Sequence, residues 1–213
     1  MTDHGHDNLT ILDHPLIQDK MARLRDESTS HEDFRRLIGQ VAGLMTFQAS
    51  RDLPIVSSTV RTPLEEVEAT RLSAPVTLVP ILRAGLGMVE GIIALMPEAN
   101  VGHIGLYRDE STLEPVTYYC KLPAMIAEGP VFLVDPMLAT GGSAIAATEV
   151  LQTHGCRDIR LICLVAAPEG VRAMAEAHPG VRIFVAALDR ELNDVGFIVP
   201  GLGDAGDRIF GTR

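Results

Sequence analysis

The chain has 213 residues, 46% of them hydrophobic, with a mean hydropathy of +0.19 and a formal net charge of −10. Such a length and apolar content suit one well-filled domain, residues 1–213, and exclude a disordered chain. The acidity argues against a nucleic-acid surface, which needs a basic face, although a small polyanion remains compatible where backbone N–H groups, a few arginines and a divalent cation combine. Cys120, Cys156 and Cys163 form no CxxC and leave one unpaired; they read as reduced thiols of a cytoplasmic protein.

Residues 1–8 are too polar for a signal peptide and read as a disordered tail, with His4 and His6 solvated rather than metal-binding. Residues 9–51 read as a helical segment. Leu16, Ile17, Met21 and Leu24 mark a short amphipathic helix after Pro15; Ser30 reads as the N-cap of a second, with Phe34, Leu37, Ile38, Val41 and Met45 at helical spacing. Glu65 to Glu68 read as the solvated acidic edge of a strand or short helix. Val76–Leu82 is a buried strand, in which Pro80 suits an edge or an end because it removes a ladder donor. The strand runs into Arg83-Ala-Gly-Leu-Gly87 and then a helix through Leu86, Val89, Ile93 and Met96. Arg83, Glu90 and three glycines make residues 76–96 an unsuitable membrane span.

Residues 101–107 predict a third strand ending at Arg108, and 112–121 the return strand of a projecting hairpin. Val131–Val134 has the apolar, β-branched content of a buried parallel strand. After it come Asp135, the apolar bend Pro136-Met137-Leu138-Ala139, then Thr140-Gly141-Gly142-Ser143 and a helix through Ile145, Thr148, Leu151 and Gln152. An ordinary strand–turn–helix junction with Ser143 as N-cap would use similar residues. The acid closing the strand and the paired glycines favour a phosphate-binding loop, because free first-turn N–H groups and the helix dipole attract an anion and glycine lets the backbone approach it. Thr140 and Ser143 add hydroxyl donors, and Asp135 is placed for a sugar hydroxyl or a metal-bound water.

Ile159–Ala166 predicts a strand, Pro168–Ala177 a helix opened by proline, and Val181–Ala187 another strand. Strands alternating with helices imply an α/β fold: a doubly wound, mostly parallel sheet with helices on both faces and ligands at the strands' carboxyl ends. The last segment, 188–213, is rich in glycine around Pro200. Its Gly201-Leu-Gly-Asp-Ala-Gly206 matches G-x-G-x-x-G formally, but only seven residues follow, too few for a dinucleotide-binding unit. A tight loop with exposed backbone is instead suited to reading a flat base by its edge.

The Asp135–Ser143 stretch resembles the phosphoribosyl pyrophosphate (PRPP) loop of type I phosphoribosyltransferases, and its Asp-Pro-Met-Leu-Ala-Thr-Gly-Gly-Ser form resembles the uracil phosphoribosyltransferase branch. Pro136 stands where most of the wider family has a second acid, so the resemblance implies no direct protein ligand for magnesium. Residues 194–212 resemble the uracil-binding segment of that branch, and the likeness covers about residues 9–213.

The resemblance implies transfer of phosphoribosyl from PRPP to N1 of uracil, giving UMP and pyrophosphate. It implies a PRPP site of Arg83, Arg108, Asp135, Pro136, Met137, Leu138, Ala139, Thr140, Gly141, Gly142, Ser143 and Asp204, and a uracil site of Ile198, Gly203, Asp204 and Ala205 in a C-terminal hood. Phe197 supplies the aromatic cover where the family often has Tyr. Magnesium is expected through PRPP and water near Asp135 or Asp204, and a homodimer or tetramer is expected through the two N-terminal helices and the projecting arm of residues 107–110 and 118–123. GTP is an effector in some members; no nucleic-acid or membrane partner is expected. The rival readings are an RNA-binding regulator of pyrimidine genes on the same fold, a purine or orotate phosphoribosyltransferase, and a catalytically silent subunit.

Overall fold

The computed structural model describes residues 7–108 and 115–212, the side chains of Arg108 and Pro115 excepted. In chain order the elements are β1 (Leu9–Ile11), α1 (Pro15–Arg25), α2 (His31–Ala49), β2 (Ile55–Arg61), β3 (Glu66–Leu72), β4 (Thr77–Leu82), α3 (Leu86–Ile93), β5 (Asn100–Val101) and β6 (His103–Arg108). After them come β7 (Pro115–Lys121), β8 (Val131–Val134), β9 (Met137–Leu138), α4 (Gly142–Thr153), β10 (Ile159–Ala166), α5 (Pro168–Ala177), β11 (Arg182–Leu188), β12 (Glu191–Leu192), β13 (Ile198–Val199) and α6 (Ala205–Phe210).

The main sheet runs β1-β11-β10-β8-β4-β6-β7, all parallel except the β6–β7 hairpin, with β5 alongside β4 and β9 alongside β10. Period-two alternation divides each strand between two cores. Phe132 and Val134 face α1, α2, α3 and α6, while Val131 and Leu133 face α4 and α5. Helices therefore cover both faces, as the alternating pattern predicts. From β4 the chain steps outward to β6 and β7, then returns to β8 on β4's other side and continues to β10 and β11. The winding thus reverses between β4 and β8. In an open parallel sheet that reversal leaves a crevice at the strands' carboxyl ends.

Three features depart from the sequence expectation, and the acidic stretch at Glu66–Glu68 is the strand edge it was expected to be. Residues 9–11 are not helical: β1 pairs Leu9–Ile11 with Ile183–Val185 at the sheet edge. The tail is ordered just before it, since Asn8 Nδ2 donates to the Val181 carbonyl at 2.9 Å; residues 1–6 lie outside the described ones. Pro80 sits inside β4, a central strand, beside Val134. Thr77 turns its N–H toward β8 and Leu78 turns its carbonyl to Gly102, so by alternation the donor that Pro80 lacks faces the break between β5 and β6. The missing bond falls where the ladder is already interrupted. Glu66–Glu68 belong to the return strand of a second hairpin, β2–β3, paired from Ile55↔Leu72 to Arg61↔Glu66. Thr62 makes its turn, Oγ1 accepting from the N–H groups of Leu64 and Glu65. Ile55, Val56, Thr59 and Val60 carried the β-branched signal, but the hairpin is exposed on both faces and shows no buried alternation. Among the described residues, no helix is long and apolar enough to cross a membrane.

Candidate active site

The crevice at the winding reversal is built by two strand-to-helix loops. The first follows β4: Arg83, Ala84 and Gly85 lead into α3, and the Leu82–Arg83 peptide is cis. A Cβ on Gly85 would lie 2.6 Å from the Val134 carbonyl oxygen, so glycine lets this loop lie directly on the end of β8. Arg83 is exposed, its guanidinium 5.7 Å from the Phe210 ring centroid and, among the described residues, without a carboxylate partner.

The second loop follows β8. Asp135 leaves the strand end, and the Pro136 carbonyl accepts from the N–H groups of Leu164 and Val165. The sequence's apolar bend thereby becomes β9, paired with Val165 and Ala166. Pro136 and Leu138 are buried, and the Leu138 carbonyl accepts from Ala167; they hold the loop on β10 rather than line the crevice. Thr140 and Ser143 are exposed, and Gly141 turns the chain at φ +88°. Gly141, not Ser143, is the N-cap of α4, and as a glycine it offers the first-turn N–H groups no capping side chain of its own. The first turn presents backbone donors and the positive end of the dipole toward the crevice side of the loop. Gly170 in α5 completes the support: a Cβ there would lie 2.3 Å from the Ala139 oxygen and 2.8 Å from that of Leu138. No sequence pattern marked Gly170 or Gly85, since both roles depend on a backbone from another element.

Asp135 is half-buried as a residue, but its carboxyl points into the fold with one long hydrogen bond, from the Met137 N–H at 3.4 Å. Burial pushes it up to about 7, the single N–H donor opposing that rise only in part. At neutral pH it is therefore poised to accept from a hydroxyl or to hold a proton.

The opposite wall comes from the C-terminal segment. It is not a loop throughout: β12 and β13 pair through Leu192↔Ile198, and α6 occupies Ala205–Phe210. Asp204 caps α6, its Oδ1 accepting from the Asp207 N–H at 2.9 Å. Phe197, Ile198, Gly203, Asp204 and Ala205 line one cavity of about 250 Å³ together with Ala84, Asp135, Met137 and Ala139. Ile198 is buried and Phe197 is 43% exposed at the rim. The two stretches that the sequence singled out separately thus face each other across one space. Arg108 ends β6, and its side chain lies outside the described residues.

A mostly parallel sheet with helices on both faces, and a crevice at its reversal, is shared with phosphoribosyltransferases of known structure. A hypoxanthine phosphoribosyltransferase from Staphylococcus aureus shares the fold at a TM-score of 0.52 and 15% identity, over 76% of each chain. The family described as uracil phosphoribosyltransferase matches residues 11–212. A relative of that name in Halalkalibacterium halodurans is 54% identical over 95% of this chain and 98% of its own. One in Symbiobacterium thermophilum is 53% identical over 96% and 99%. The solved AQ2163 protein of Aquifex aeolicus superposes at a TM-score of 0.90 with 37% identity, over 95% of this chain and 97% of its own. The chain belongs to the uracil phosphoribosyltransferase family, and it is a pentosyl-transferring enzyme.

Proposed function

We propose that the crevice joins N1 of uracil to C1 of the PRPP ribose, giving UMP and pyrophosphate. The observation that carries this is the single cavity shared by Asp135 and Ala139 on the phosphate-loop side and Phe197–Ala205 on the hood side. The C1–oxygen bond to pyrophosphate breaks as the C1–N1 bond forms, and the N1 proton leaves to solvent or to pyrophosphate. The chain's part is positioning and charge stabilisation. Residues 139–143 hold the 5-phosphate at the start of α4, Asp135 accepts from ribose hydroxyls, and Arg83 and Arg108 meet the pyrophosphate. The Ile198 carbonyl accepts from N3–H of the base, the Gly203 N–H donates to O4, and Phe197 covers the ring.

Among the described residues no group of three His, Cys, Asp or Glu is placed to hold a metal. Two carboxylates, Asp135 and Asp204, line the cavity, a donor set that fits a magnesium ion carried mainly by substrate oxygens and water. Asp135 and Asp204 would hold the ion through its water, and it would supply charge neutralisation at the leaving pyrophosphate. The enzyme works in the cytoplasm, its three cysteines all free. It assembles as a homodimer or a tetramer, supported by apolar side chains exposed on the β2–β3 hairpin, including Ile55, Val56, Leu64 and Val67.

The test is nucleotide formation from PRPP with uracil, cytosine, orotate, hypoxanthine and adenine. Uracil exceeds cytosine on the order of 10²- to 10⁴-fold in kcat/KM, because cytosine sets acceptor against acceptor and donor against donor on that edge. Equal use of the two pyrimidines, or preference for a purine, overturns the reading.

A further inference from the structure

Three charged side chains outside the cavity converge on the backbone of the hood. Arg208 Nη1 donates to the Leu202 carbonyl at 2.8 Å and to the Leu24 carbonyl at 2.6 Å; its Nη2 donates to the Asp26 carbonyl at 2.5 Å. The guanidinium lies 4.2 Å from the Phe34 ring centroid. Arg25 grips Asp189 with two bonds, at 2.8 and 2.6 Å, and its Nη1 also donates to the Gly201 carbonyl at 2.7 Å. Asp189 Oδ2 in turn accepts from the Gly201 N–H at 2.8 Å, and the Asp189 N–H donates to the Ala166 carbonyl at the end of β10. None of the three lines the cavity.

The Leu202 carbonyl and the Gly203 N–H are the two ends of one peptide plane. That peptide is trans, so the two bonds point in opposite directions. An arginine that draws the carbonyl outward therefore turns the N–H inward, toward the cavity that Gly203 lines. A cationic donor on the carbonyl also polarises the amide and strengthens its N–H as a donor. The preceding plane is fixed in the same manner, because the Gly201 carbonyl, held by Arg25, sets the Leu202 N–H. Leu202 itself is buried in the core. Two consecutive peptide units are thus aimed from behind, and the groups offered to the base edge are main-chain ones.

We propose that Arg208, backed by the Arg25–Asp189 pair, is the positioning residue that aims the Gly203 N–H at the base and thereby sets selectivity for uracil. The inference rests on the base-reading role given to Gly203 above. Its test is the kinetics of the Arg208→Gln enzyme with uracil and cytosine, together with its PRPP affinity by calorimetry and its Tm. KM for uracil rises about 10- to 100-fold and the preference over cytosine falls about tenfold or more, while the Kd for PRPP stays within about twofold. Arg208→Lys restores part of the preference, since it returns a cation to the Leu202 carbonyl. Asp189→Asn shifts the same quantities in the same direction and decides the matter alone where Arg208→Gln does not fold.

Met45→Ala, a core change in α2 away from the hood, lowers Tm and leaves the preference intact. A folded Arg208→Gln or Asp189→Asn enzyme with the wild-type preference overturns the proposal. So does one that loses uracil and PRPP equally, in step with its Tm. A wild-type protein that makes no nucleotide from uracil overturns the reading of the site itself, a result distinct from either.

Discussion

Asp135 sits in an environment far from that of a free side chain. Burial raises its carboxyl from 3.8 to about 7, so between those values the folded protein holds a proton that the unfolded chain has released. The folded state binds more protons than the unfolded one, and stability falls as pH rises through that window and levels above it. Asn at this position carries no such penalty. The Tm of Asp135→Asn, measured without substrates, is close to that of the wild type near pH 4. It exceeds the wild-type Tm increasingly up to about pH 7, by several degrees, and by a constant amount beyond. A Tm difference independent of pH would show that the carboxyl is solvated. The same substitution weakens PRPP binding, since an amide oxygen is a poorer acceptor for two ribose hydroxyls than a carboxylate.

At the scale of the element, the phosphate loop is a property of α4 and α5 together. Gly141 needs its φ of +88°, and a Cβ there would lie 3.2 Å from Ala173 Cβ and the Gly170 oxygen; a Cβ on Gly142 would meet only Thr140 Oγ1, at 3.8 Å. Gly141→Ala therefore costs about 1–3 kcal/mol in stability as well as PRPP affinity. Gly142→Ala leaves Tm within a degree or two, and any loss it causes falls on phosphate binding alone. Gly170→Ala pushes the Leu138 and Ala139 carbonyls outward and weakens PRPP binding from a residue that never meets the ligand. Chemical denaturation and calorimetry on the three variants check the order. Equal destabilisation by Gly141→Ala and Gly142→Ala would place the strain elsewhere.

Across the whole molecule the two ends of the sheet are built differently. At the amino ends of the strands Arg160, 1% exposed, bonds Asp52, Asp158 and the Ala49 carbonyl, and Arg182 joins the same aspartates. Charges there are matched and closed. At the carboxyl ends α4 starts on a glycine with no capping side chain, Arg83 is exposed, and among the described residues one donor reaches the Asp135 carboxyl, so valence there is left open. The β2–β3 hairpin forms a sheet of its own between Asp52 and the start of β4, with Leu64 94% exposed at its tip. The assembly proposed above is expected to give, in light scattering, particles of twice or four times the 23.0 kDa chain, and replacing residues 56–71 by a short Gly-Ser turn is expected to reduce that mass while the domain stays folded. A monomer across micromolar concentrations contradicts the assembly.

Local sequence carried the alternation of strands and helices, the start of α2 at Ser30 and of α5 at Pro168, and the two stretches that face each other across the cavity. Each is written locally: buried β-branched runs, a capping side chain, an acid followed by Thr-Gly-Gly-Ser. The tertiary structure decided what depends on distant partners. Leu9–Ile11 is a strand because β11 offers it an unpaired edge, and Pro80 is tolerated at the centre because the ladder breaks beside it at Gly102. Arg25 reaches Gly201 across 176 positions of sequence, and Arg208 turns the Leu202–Gly203 peptide through a carbonyl bond that no periodicity records. Helix and strand propensities act over a few residues. The aim of one N–H into a cavity follows from side chains brought together only when the chain has closed.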